Sequence, residues 1–171
     1  MGMRVDCEEC LFEPVKRLKI NLLEFIKNGE FGILKLGESR ECLLNNFPNP
    51  DGFEDGDDWK NGRLEIFTYG DIEFHFMDDK LYLIFADYFN ILDGGVSLYF
   101  EEKWIFEKEA HLLTVEYISQ KLQEEKIEFS IKLSNLRDEN RVLIRTEEGV
   151  EFLFIAEHNE PVLMAVSLLN D

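Results

Sequence analysis

No apolar run in this chain of 171 residues approaches the ~18 that cross a bilayer as a helix, so a helical membrane protein is not expected. The opening stretch, MGMRVDCEECLFEP, lacks the apolar centre of a secretory signal. Cysteine is scarce, with three residues, an odd number that argues against a disulfide framework. Together these predict a reduced, cytoplasmic protein. Catalytic signatures are missing too. There is no GxSxG, no phosphate loop, no dinucleotide fingerprint, no HxH and no HExxH. Positive charge is also in short supply. Lys and Arg number 18 against 36 Asp and Glu, a net charge of −18. Such a surface repels phosphate backbones and anionic lipid, which argues against nucleic-acid and membrane partners. It suits a basic protein partner and also serves solubility.

What is present begins with a core. Hydrophobic residues make up 45% of the chain, with 15 Phe, enough to fold residues 1–171 as a single domain. Arg63 to Phe85, RLEIFTYGDIEFHFMDDKLYLIF, alternates apolar and polar residues. That period predicts three antiparallel strands, with turns at Gly70-Asp71 and Asp78-Asp79. The expected inward set is Leu64, Ile66 and Thr68, then Ile72, Phe74 and Phe76, then Leu81, Leu83 and Phe85.

Before the meander, Glu8–Lys27 has the apolar spacing of a helix through Leu11, Val15, Leu18, Leu22 and Phe25 or Ile26, with Asn28-Gly29 as its stop. This places an N-terminal helix within 1–30. Ser39 should cap a short helix through Leu44, ended by Pro48 and Pro50, with Leu43, Leu44 and Phe47 facing the core. Asp51–Arg63 is expected to be an acidic loop. It does not match a calcium loop, since positions 3 and 12 counted from Asp51 are Phe53 and Gly62. Trp59 within it should fold back or meet a partner. After the meander, Val96–Phe100 and Lys103–Phe106 suggest strands, and Thr114 caps a helix over Val115–Glu124. Four further strands are expected at Ile127–Leu133, Arg141–Thr146, Val150–Ile155 and Val162–Leu168.

Shifted by 78 residues, RLEIFTYGDIEFHF from Arg63 lies over RVLIRTEEGVEFLF from Arg141 without a gap. Arg63, Ile66, Thr68, Glu73, Phe74 and Phe76 meet identical residues. The expectation is two helix-plus-meander units, 31–95 and 96–171, sharing one antiparallel sheet in an α+β fold with helices on one face. Parity then assigns Glu65, Phe67, Tyr69, Glu73, His75 and Tyr82, with Arg145, Glu147, Glu151 and Leu153, to an outer face. Rings mixed with charges there suit protein binding.

Leu36-Gly37-x-Ser39 leading a short helix, Pro48 or Pro50 ending it, a Trp59 loop, and strands with Phe74-x-Phe76 and Lys80-Leu81 resemble the helix-then-strands unit of the beta-lactamase-inhibitor-protein and small outer-membrane-assembly-lipoprotein superfamily. The likeness covers about fifty residues. This chain has Asn49-Pro50 where that family has Gly-Pro, and Asp78-Asp79-Lys80 at the turn. The resemblance implies a protein-binding module with an open sheet face. At class level, small acidic α+β proteins also resemble bacterial toxin-immunity proteins.

Isolated chemistry adds little. Cys7-Glu8-Glu9-Cys10 lacks two further ligands at zinc spacing, and its flanking acids raise thiol pKa. His75, His111 and His158 are scattered, although His75 with Glu73 could act as a general base. The expected function is therefore a non-enzymatic immunity or inhibitor protein, without cofactor or metal, that neutralises a basic toxin. The alternatives are an enzyme using His75 and Glu73, or a secretion or assembly adaptor. The expected partner-binding residues are Asp55, Asp57, Asp58, Trp59, Phe67, Tyr69, Glu73, His75 and Tyr82.

Overall fold

The computed structural model describes residues 17–58, 62–87, 91–134, 141–157 and 160–169. Cys7, Cys10, Trp59, His158 and the first half of the expected N-terminal helix lie outside them. The fold is α+β. Strand β1 (Leu18–Asn21) precedes helices α1 (Leu22–Asn28) and α2 (Arg40–Asn46). Strands β2 (Gly52–Asp58), β3 (Gly62–Tyr69), β4 (Ile72–Met77) and β5 (Lys80–Asp87) follow, then β6 (Leu98–Glu102) and helix α3 (Val115–Glu124). The chain finishes with β7 (Phe129–Ser134), β8 (Arg141–Thr146), β9 (Val150–Glu157) and β10 (Glu160–Leu169).

Eight strands form one sheet in the order β2-β3-β4-β5-β10-β9-β8-β7, antiparallel at every pairing. Two four-stranded meanders therefore meet at β5 and β10. The expected three-stranded meander is present, with both turns in place. Asp78 and Asp79 hold positive φ there, which Asp tolerates in a tight hairpin. Phe74, Phe76, Phe152 and Phe154 are fully buried, as expected. They join Leu22, Phe25 and Ile26 of α1, Leu43 of α2, and Ile118 and Leu122 of α3 in one apolar cluster. Ser39 and Thr114 cap α2 and α3 as predicted, each oxygen accepting a main-chain N–H three residues on.

Several expectations are corrected. Leu18–Asn21 is not helical; it is β1, pairing in parallel with β6 and burying Ile20 against Phe100. The helix starts only at Leu22 because the Asn21 side chain accepts the Glu24 N–H and caps it there. Of the expected Asp51–Arg63 loop, Gly52–Asp58 is a strand, since β2 pairs with β3 along its whole length. The Phe53 ring lies tilted against Phe67 with centroids 4.8 Å apart, and Arg63 binds Asp55 at 3.0 Å. Lys103–Phe106 is not a strand but part of a 3-10 turn over Trp104–Glu107. Leu44 is exposed rather than facing the core.

The largest correction concerns parity in β3. Glu65, Phe67 and Tyr69 are buried, while Leu64, Ile66 and Thr68 are half-buried on the outer face. The two-residue turn makes Tyr69 and Ile72 direct partners, and partners share a face. Ile72 points inward, so Tyr69 must as well. In β5, a bulge at Tyr82 shifts the register between Phe76↔Leu81 and His75↔Leu83. Leu83 and Phe85 therefore turn outward, and Ile84 and Ala86 are the inward residues.

The gapless repeat fails for the same reason. Arg145 pairs with Glu151, leaving a loop one residue longer than that between β3 and β4. Glu73, Phe74 and Phe76 keep the same facing as Glu151, Phe152 and Phe154. Ile66 and Thr68, by contrast, face out where Ile144 and Thr146 are buried. A one-residue slip flips a whole strand.

Buried Glu65 is held by Arg40 at 2.7 Å and Arg63 at 3.2 Å. Arg40 projects from the first turn of α2, so this pair ties that helix to β3.

Candidate functional site

Over β3–β5 and β8–β10 the inward face of the sheet is covered by the core, so there the outer face is where side chains remain accessible. Its residues alternate with buried ones and are themselves half-buried: Leu64, Ile66, Glu73, His75, Met77, Leu83 and Phe85 on β3–β5, and Leu143, Arg145, Glu151, Leu153 and Ile155 on β8–β9. Pairing aligns them in rows. Thr68, Glu73, Phe85, Ser167, Glu151 and Arg145 form one row across six strands. Ile66, His75, Leu83 and Leu169 form the next.

A small aromatic group sits on β4 and β5. The His75 ring lies edge-on to Tyr82 at 6.1 Å and to Phe85 at 6.4 Å between centroids. Its Nε2 contacts Glu73 Oε2 at 2.7 Å. The bulge makes this cluster possible, because it brings Phe85 to the face that His75 occupies. Charge gathers beside it. Burial raises the Asp87 carboxyl above its usual range, and neighbouring Glu73 and Asp71 raise it further. Beyond β3 lies edge strand β2, GFEDGDD, with acids at Glu54, Asp55, Asp57 and Asp58. At the other end, Arg145 pairs with Glu151 at 3.3 Å.

The structure therefore sorts the sequence-predicted residues. Glu73, His75 and Tyr82 come together on the outer face. Asp55 lies on the β2 edge, engaged by Arg63. Asp57 and Asp58 continue that strand in the main chain, and their side chains lie outside the described ones. Trp59 falls outside the described residues. Phe67 and Tyr69 do not belong to the surface. Phe67 packs edge-on against Phe76 at 5.6 Å, and Tyr69 donates its hydroxyl to the Pro48 carbonyl at 2.8 Å. Burial pushes the Tyr69 hydroxyl well above its usual range. In their place the face gains Ile66, Leu83 and Phe85, which parity had put in the core. The signal that could have found Ile66 is the two-residue turn at Gly70-Asp71.

Among the described residues no group of His, Cys, Asp and Glu could hold a metal ion. Nor is any helix among them long and apolar enough to cross a membrane. Compared with known protein families, curated proteins and solved structures, the chain has no match.

Proposed function

We propose that this chain is a non-enzymatic protein-binding module of immunity or inhibitor type, which neutralises a basic toxin on the outer face of its sheet. The observation that carries the reading is the juxtaposition at β4–β5. An aromatic group of His75, Tyr82 and Phe85 adjoins the carboxylates of Asp71, Glu73 and Asp87, with the acidic β2 edge beyond. Rings on a β-sheet are preordered anchors with few rotamers to freeze, and flanking carboxylates suit the Lys and Arg of a basic partner. The net charge of −18 acts in the same direction at long range.

The sheet order supports a tandem origin for this face. Each meander follows its own short capped helix, α2 or α3, and the two meet at β5 and β10. On this reading the two units are related strand for strand, with gaps at their hairpins. This is the architecture that the resemblance to the inhibitor-protein superfamily implies, with the open sheet face as the binding surface.

The test is direct. The chain is co-expressed with the product of each adjacent gene, and rescue from toxicity and binding kinetics are measured. Phe85→Ala and Tyr82→Ala should each speed dissociation, costing about 2 kcal/mol at an anchor position while leaving the fold intact. Neither ring is in the sealed core, so stability is a separate readout. Unchanged dissociation in both variants would move the binding surface elsewhere.

A further inference from the structure

The two edges of the sheet are treated in opposite ways. β2 at one end carries four acids in seven residues, which discourages another strand from pairing with it. β7 at the other end, FSIKLS, carries no acid and a single charge, Lys132. Together β7 and β8 hold three bases, Lys132, Arg141 and Arg145, and no acid. Phe129, Ile131 and Leu133 lie opposite Thr146, Ile144 and Val142, all buried, so they project on the core side of the sheet. Yet Ile131 is 48% exposed and Leu133 is 81% exposed. Among the described residues β7 is thus a terminal strand with an apolar stripe left in water, and it and its neighbour β8 hold bases and no acid.

We infer that β7 pairs antiparallel with β7 of a second copy, giving a two-fold dimer with one continuous sheet. The side chains select the register. With the axis at Ile131, Ile131 meets its own copy, Leu133 meets Phe129 twice, and Lys132 faces Ser130. All three core-side residues are then covered, and the two lysines stand diagonally. Moving the axis to Lys132 would set the lysines directly opposite, which is unfavourable. Head-to-tail pairing of β7 with β2 is less suited, although the charges attract. It would place the apolar stripe over Asp55, which lies opposite the buried Glu65, and it would not close. The two-fold arrangement leaves both outer faces and both acidic edges free, so it is independent of the proposed toxin site.

Analytical ultracentrifugation of the full chain over a concentration series tests this. The parent should reach a dimer of about twice its 20.1 kDa and stop there. Salt should strengthen the dimer, because it screens the repulsion between two copies of charge −18. Leu133→Glu changes an exposed side chain, so it should fold normally and weaken the dimer at least about tenfold. Ile131→Lys should do the same by placing like charges on the axis. Hydrogen exchange should show β7 amides gaining protection as concentration rises. A monomer at all concentrations, a mass growing past the dimer, or a dimer that survives Leu133→Glu would each overturn the inference.

Discussion

Asp87 closes strand β5 where the outer face gathers charge of one sign. Its carboxyl is held above the ordinary range first by burial, then by Glu73 and Asp71. A raised value means that the stability Asp87 contributes is full below the ordinary carboxylate range and is lost as pH rises through the raised value. At neutral pH it is therefore a mild burden on the fold. Asp87→Asn should raise the thermal midpoint slightly at pH 7, and the gain should vanish near pH 3, where both forms are neutral. Thermal scans across that range check this, and a lower midpoint at pH 7 would contradict it. At this scale the sequence was legible in part. Glu73 and His75 were placed correctly because β4 has only one apolar parity. Tyr69 was not, because LEIFTY is apolar on both parities, and a phenol that ends up donating to the Pro48 carbonyl looks no different in sequence from a surface ring.

At the scale of elements, the first hairpin depends on its turn. Gly70 has φ +60, and a Cβ there would sit 2.3 Å from the main-chain nitrogen of Gly95. Hydrogen bonds lock the two segments together. The Gly70 N–H donates to Asp51 at 2.8 Å, the Asp71 N–H to the Asp93 carbonyl at 2.9 Å, and the Asp93 N–H to Asp71 at 2.7 Å. Gly70→Ala meets both backbone strain and a clash, and should destabilise by about 2 kcal/mol or more in chemical denaturation. A variant as stable as the parent would show that the 91–97 segment yields easily. The turns and caps were the most legible elements, since Gly70-Asp71, Asp78-Asp79, Ser39 and Thr114 act through local chemistry. The β2 strand and the Tyr82 bulge were not. GFEDGDD has poor strand propensity and is held by pairing with β3, a long-range effect. LYLIFAD offers apolar residues at both parities, so nothing local announces the register shift that brings Phe85 to the surface.

At the scale of the molecule, the net charge of −18 is not evenly spread. β2 carries four acids and no base, whereas β7 and β8 carry three bases and no acid. The composition disclosed the excess; only the strand order disclosed that the sheet is polarised from one edge to the other. If the acidic end steers a basic partner, association should fall steeply with salt, because exposed charges are screened beyond ~8 Å at physiological ionic strength. Replacing Asp55, Asp57 and Asp58 together with Asn should slow association by roughly tenfold or less. The fold should survive, since the Asp55–Arg63 pair is exposed on both sides and such pairs contribute little. Surface-bound kinetics at low and high salt make the measurement, with whichever adjacent gene product the co-expression identifies as the probe. The two associations proposed for this chain respond to salt with opposite sign. Self-pairing through β7 tightens as repulsion is screened, while capture of a basic partner slows as attraction is screened. An association rate indifferent to both salt and the triple substitution would reduce the −18 to a solubility feature, and would leave the rings of β4 and β5 as the sole support for a binding face.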